Sequence, residues 1–194
     1  MKKKYIQKEV DFFKDDNLEV LYQIFKLKNL YRQGWLKRDI PEIESESVAD
    51  HSFGTAMTAW ILAKQLKLEL DMEKLLKMAL VHEIGEIYAG DITPVDGISL
   101  DQKYELELQS AKKVFSTYPE GQEFINLWEE FEQAETPEAK FLKQIDKFEM
   151  GLQASIYKGH GHSKMDEFIQ SAERIIDQKE LRSLFQKIIN RGDM

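Results

Sequence analysis

At 194 residues, 42% hydrophobic and 32% charged, the chain can bury about 70% of the surface its unfolded form exposes, and it is too apolar to be disordered. No run approaches the ~18–20 apolar residues of a spanning helix, the basic Met1-Lys2-Lys3-Lys4 start has no apolar stretch behind it, and there is no cysteine. A membrane partner, a secretory leader, disulfides and thiolate chemistry are therefore not expected, and the cytoplasm is the expected address. The net charge of −8, with basic residues interleaved among acids, argues against nucleic acid but leaves room for a small anionic ligand.

Prolines 41, 94, 119 and 137 punctuate long stretches rich in Leu, Lys, Glu, Gln, Ala and Met, and no period-2 stretch appears, so the fold is expected to be all-α. Residues ~16–31 read as a first amphipathic helix with Leu21, Ile24, Phe25 and Leu30 on its apolar side. A loop from Arg32 to Ser45 holds Gly34, Trp35 and Pro41. Ser47 with Asp50 approximates a capping box for a second helix to about Leu68, whose expected core seam includes Phe53, Ala56, Trp60 and Ala63. Asp71 caps a third helix to about Tyr88, which Gly90-Asp91-Ile92-Thr93-Pro94 ends. Ser99 with Gln102 opens a fourth to Tyr118, and residues 121–135 form a fifth. Thr136 and Pro137 open a sixth to about Tyr157. After the Gly159-His160-Gly161-His162 loop, one or two more helices fill residues ~164–190. That makes six to eight helices in one domain spanning 1–194, with 158–194 a helical extension packed on the rest.

Two of the four histidines lie inside helices. His51 sits one turn into the second helix, and His82 continues the apolar stripe of Leu75 and Ala79. Glu83 follows directly, Glu86 lies one turn on, and Asp146 stands mid-helix among apolar residues. Singly, each reads as a satisfied core or boundary residue. Together, two imidazoles and two carboxylates from three helices make an N,N,O,O donor set for one divalent ion of the Mn, Fe, Co, Ni or Zn type, with Mg a further candidate. Such an ion brings the pKa of its water down to roughly 7.

The segments Glu46–Ser52, Met78–Glu86, Gly90–Pro94 and Lys143–Asp146 together resemble the HD-domain phosphohydrolase superfamily, and within it the 5'-deoxynucleotidase branch. The resemblance runs from about Leu27 to Tyr157 and includes Leu127–Glu132, Glu138–Phe141 and Glu149–Ser155. It implies an HD-type helical bundle with the metal held by His51, His82, Glu83 and Asp146. It implies Glu86 as the catalytic acid/base and Asp91 as a carboxylate near the leaving oxygen or sugar. Arg32 resembles the arginine that holds the phosphate, and Trp35 the residue that crowds the sugar 2' position. Read alone, Arg32 is a surface ion pair and Trp35 is equally a core anchor for its loop. One departure stands out: the signature His-Asp pair is here His82-Glu83, which keeps the charge and adds a methylene.

The expected function is hydrolysis of the 5'-phosphate of (deoxy)ribonucleoside monophosphates by a metal-activated water. The alternatives are hydrolysis of a nucleoside triphosphate or alarmone, or a nucleotide- or metal-binding regulatory module weakened by Glu83. A homodimer is expected from the resemblance and from Phe124, Trp128 and Phe131 crowding one helix. Ser52, Thr93 and Pro94 are expected to shape the site, and His160 and His162 to sit on a surface loop.

Overall fold

In the computed structural model, which describes residues 16–189, the secondary structure is helical throughout, apart from one isolated bridge between Tyr31 and Ser47. Eight helices have nine residues or more: α1 (Asp16–Ile24), α3 (Val48–Gln65), α4 (Met72–Val81), α6 (Leu100–Val114), α7 (Gly121–Gln133), α8 (Pro137–Gly159), α9 (Asp166–Ile175) and α10 (Lys179–Ile189). Two single-turn helices, α2 (Gln33–Leu36) and α5 (Glu86–Ala89), interrupt the loops. No helix among the described residues is long and apolar enough to cross a membrane.

Side-chain capping sets most helix starts. The Ser47 hydroxyl accepts from the Asp50 N–H at 3.1 Å while the Asp50 carboxylate accepts from the Ser47 N–H at 2.8 Å, the reciprocal box expected. Asp71, Ser99 and Thr136 likewise accept from the backbone three residues on, opening α4, α6 and α8.

Three expectations are corrected. The first helix tightens after Ile24 into a 3₁₀ turn over Phe25–Asn29. It buries Val20, Gln23 and Leu27, while Leu21 and Phe25 face solvent. In α3 the buried stripe is His51, Ser52, Thr55, Ala56, Ala59, Leu62 and Ala63, so Phe53 and Trp60 are exposed, at 67% and 48%. Small residues on the inner face let α4 and α8 approach closely, and the bulky ones are turned outward. The third helix divides: α4 stops at Val81, a turn covers residues 82–85, and α5 begins at Glu86. His82 Nδ1 donates to the Ala79 carbonyl at 2.8 Å and so caps the last turn with its own side chain. The chain then tightens through Ile84 N–H to Val81 C=O and Glu86 N–H to Glu83 C=O, both 3.0 Å. Gly85 packs so closely on α6 that a Cβ there would lie 2.7 Å from Glu107 Cβ.

Two buried clusters result. The larger joins α3, α4 and α8 with Met165, Ile169, Ala172, Ile176, Leu181 and Phe185 of the C-terminal segment. The smaller joins Val20, Leu27, Val48 and Ile84 with α6 and with Ile125 and Trp128 of α7. Trp128 and Phe131 are buried inside the chain, so they offer no surface to a second copy. Along α3, Val48 enters the smaller cluster and Ala56 onward the larger. Ile84 enters the smaller cluster and α4 the larger. His51, His82 and Glu83 fall between.

Candidate active site and metal centre

The folding of α3, the 82–85 turn and α8 brings His51, His82, Glu83 and Asp146 together. One donor atom from each lies within 4.8 Å of all the others. His51 Nε2 is 3.2 Å from Asp146 Oδ1, 3.4 Å from Glu83 Oε1 and 3.5 Å from His82 Nε2, and His82 Nε2 is 3.7 Å from Glu83 Oε1. His51 and His82 are both buried. The outer nitrogen of each ring already has a partner: His82 Nδ1 has the Ala79 carbonyl, and His51 Nδ1 has Glu149 Oε2 at 2.6 Å. With Nδ1 of each ring engaged on the outer side, both Nε2 atoms face carboxylate oxygens.

Donor atoms at this spacing repel one another unless a proton or a cation stands among them. Asp146 Oδ1 is buried, 3.2 Å from His51 Nε2, with no other hydrogen-bond partner, an environment that fits a metal-donor oxygen. The set of two imidazole nitrogens and two carboxylates suits a divalent transition metal.

The two imidazoles differ in their electrostatics. Burial and the Arg32 guanidinium push the His51 pKa down, but Glu149 and Asp146 outweigh them and hold it well above the ordinary value. Burial lowers His82, which favours the neutral, ligating imidazole. Burial opposes ionisation of Glu83 and Asp146, yet the neighbouring imidazoles and cations hold both well below the usual carboxylate range: His82, His51 and Arg32 for Glu83, and chiefly Lys147 and His51 for Asp146.

Arg32 is not a surface ion pair. Largely buried, it donates to Glu83 Oε1 at 3.0 Å and lies 3.7 Å from Asp91 Oδ1. Asp91 follows Gly90, whose φ of +83° ends α5. Its Oδ2 accepts from the Gln33 N–H, tying the 91 turn to the start of α2. Glu86 is 1% exposed, and its Oε2 has no hydrogen-bond partner. Burial first, then the charges of Glu83 and Asp91, push its carboxyl well above the ordinary range, which favours its protonated form.

Trp35 is 1% exposed, donates from Nε1 to Glu46 Oε1 at 2.7 Å, and packs between Tyr157 and Phe168 with ring centroids at 5.3 and 4.4 Å. This is the geometry of a loop anchor. Ser52 donates to the Val48 carbonyl, Thr93 receives Lys37 at 2.7 Å, and Pro94 opens a 3₁₀ turn. His162 sits on the surface 3.1 Å from Glu44, and His160 is exposed at the end of α8.

Sequence reasoning missed Glu149 as part of the site. Its three-residue spacing from Asp146 on one helix was the available signal. It also missed Glu107 of α6, whose carboxyl is raised to about 7 by burial, and Lys103 beside it at 3.3 Å.

The fold and this cluster define a class, and comparison with known families identifies it. The HD domain family matches residues 24–188, and the chain belongs to that family. The match continues past Tyr157 through most of α10, consistent with the shared core of the C-terminal helices. Among individual relatives, the chain is 41% identical over 144 residues to the 5'-deoxynucleotidase HDDC2 of Dictyostelium discoideum, covering 71% of this chain and 75% of that one. It is 33% identical over 175 residues to the human 5'-deoxynucleotidase HDDC2, covering 88% and 83%. A crystal structure of a Pyrococcus horikoshii protein superposes with a TM-score of 0.75 at 35% identity, covering 90% of this chain and 97% of that one.

Proposed function

We propose that this protein is a divalent-metal-dependent phosphomonoesterase that removes the 5'-phosphate of deoxyribonucleoside monophosphates, and that residues 16–189 act as one HD-type domain. The observation that carries the reading is the convergence of His51, His82, Glu83 and Asp146 in a chain whose HD-family relatives are named 5'-deoxynucleotidases. The four residues would hold one ion, of the Mn, Co, Ni, Fe or Zn type with Mg a further candidate. When bound, the ion supplies Lewis-acid activation of water and neutralises phosphate charge.

The remaining groups divide the work. Arg32 binds the phosphate through its planar fork, exchanging its hold on Glu83 for phosphate oxygens. Glu86, buried and with its carboxyl pushed upward, is the group placed to protonate the 5'-oxygen as the phosphate leaves. Asp91 faces Arg32 at the sugar side and fixes the Gln33 backbone. Trp35 anchors the Arg32 loop, and through that loop sets the wall against the sugar 2' position. The added methylene of Glu83 lets one carboxylate face both histidines and still reach Arg32. We place the working enzyme in the cytoplasm as a homodimer. The support for a dimer shifts from the buried α7 aromatics to the exposed Phe53, Met57, Trp60 and Ile61 ridge of α3.

The test is phosphate release from dAMP and AMP by metal-stripped protein resupplied with Mn, Co, Ni, Zn or Mg, alongside Glu83→Asp. Metal-dependent release that favours dAMP is expected. Silence from the natural chain with activity restored by Glu83→Asp would make it a binding module. Silence from both would overturn the monophosphate reading in favour of another phosphorylated nucleotide.

A further inference from the structure

The buried carboxylate behind His51 is not accounted for by the roles above. Glu149 Oε2 accepts from His51 Nδ1 at 2.6 Å, and His51 has no exposed surface. A neutral imidazole has one N–H. A carboxylate at Nδ1 therefore dictates that Nε2 carries the lone pair, and Nε2 is the atom that faces Asp146 and Glu83. Asp146 and Glu149 lie three residues apart on α8, so a single helix sets both a candidate ligand and the support of a second candidate ligand on α3. The α3 side is built to receive it. Gly54, one turn after His51, lies so close to Glu149 that a Cβ would overlap the carboxylate and push it away from the ring. The other carboxylate in reach of this imidazole edge, Glu46, has one oxygen engaged by Trp35 Nε1.

We propose that Glu149 is a positioning residue for the metal centre, fixing the tautomer and orientation of His51, and that Gly54 is glycine because it must admit that carboxylate. Glu149 touches neither the ion nor the substrate and acts only through the ring. Carboxylates in this position behind a metal-bound histidine raise its basicity and pre-set its direction, and their loss weakens metal affinity by roughly 10–100-fold. The inference rests on the metal reading of the four-residue cluster.

The experiment measures Co²⁺ and Mn²⁺ affinity of the full chain by competition with a chromophoric chelator, with circular dichroism to verify folding. The variants are Glu149→Gln, Glu149→Ala, Gly54→Ala and the double Gly54→Ala/Glu149→Ala. Glu149→Ala is expected to weaken affinity by roughly 10–100-fold and shift the visible spectrum of bound Co²⁺. Glu149→Gln keeps an acceptor for Nδ1–H and should lose less. Gly54→Ala should weaken binding alone but add nothing in the Glu149→Ala background, because both changes remove the same contact. Unchanged affinity in the folded Glu149 variants would overturn the proposal, as would fully additive losses in the double variant. If Gly54→Ala fails to fold, the Gln and Ala variants at 149 still decide the matter. Failure of the natural chain itself to bind Co²⁺ or Mn²⁺ would remove the metal reading and this inference with it. Binding that is indifferent to position 149 would overturn this inference alone.

Discussion

The two sides of the site are built differently. His51, Asp146 and Glu149 project from helices of 18 and 23 residues, whose inner faces are packed into the larger core. Arg32, Glu86 and Asp91 stand on a turn and at the starts of four-residue helices, and the 82–85 turn between the two sides adds the candidate ligands His82 and Glu83. The first group is held by close packing, which permits few alternative arrangements. The second is held by hydrogen bonds between loops: Arg32 N–H to the Glu46 carbonyl at 3.1 Å, Val48 N–H to the Leu30 carbonyl at 2.8 Å, and the Gln33 N–H to Asp91. Such segments open at lower free energy than core helices. The helical side suits a fixed ion, and the turn side suits a substrate that must enter and leave.

Substitutions can break this division or sharpen it. Asp146→Asn on the helical side should abolish metal binding and phosphate release together, since it removes a charged donor from a preset cluster; chelator competition and a phosphate assay read both. Glu86→Gln on the turn side should separate them: release should fall by roughly 10²–10⁴-fold, as for loss of a general acid, while metal affinity stays as in the natural chain. Arg32→Lys keeps the charge but loses the fork. A charge-assisted hydrogen bond contributes about 1.5–3 kcal/mol, so kcat/KM for dAMP should drop by roughly 10–150-fold with metal affinity retained. Metal affinity that fell with Glu86→Gln or Arg32→Lys would erase the distinction between the two sides.

A smaller effect concerns pH. Burial raises the Glu107 carboxyl from 4.5 to about 7 against the pull of Lys103. The folded chain therefore keeps a proton that the unfolded chain releases between those values. The associated stability is present below about 4.5 and is lost as pH rises through about 7. Glu107→Gln should flatten that slope in urea denaturation of metal-stripped protein between pH 4.5 and 7.5, and an unchanged slope would place the titration elsewhere.

Helix starts were readable because they depend on local chemistry. Ser47 with Asp50, Asp71, and Thr136 before Pro137 each satisfy their own backbone. The face of α3 was not, because its inner stripe is alanine, serine, threonine and histidine, while Phe53 and Trp60 draw the eye to the wrong side. Only the close approach of α4 and α8 selects the small residues. The break at residues 82–85 was equally hidden, since it depends on His82 taking the Ala79 carbonyl and on Gly85 meeting α6. In the site, the candidate ligands came from ordered motifs. Arg32 read by itself belonged on the surface, because its burial depends on Glu83 and Asp91, 51 and 59 positions away. Glu149 was spaced to share a face with Asp146, but its partner His51 lies 98 residues earlier.

The most direct test of the central claim is calorimetric titration of metal-stripped natural chain and Asp146→Asn with Mn²⁺, with phosphate release from dAMP followed at each addition. The account predicts one ion per chain, release that rises in proportion to occupancy, and neither in the variant. Equal Mn²⁺ binding by the two proteins, or release that does not follow occupancy, would contradict it.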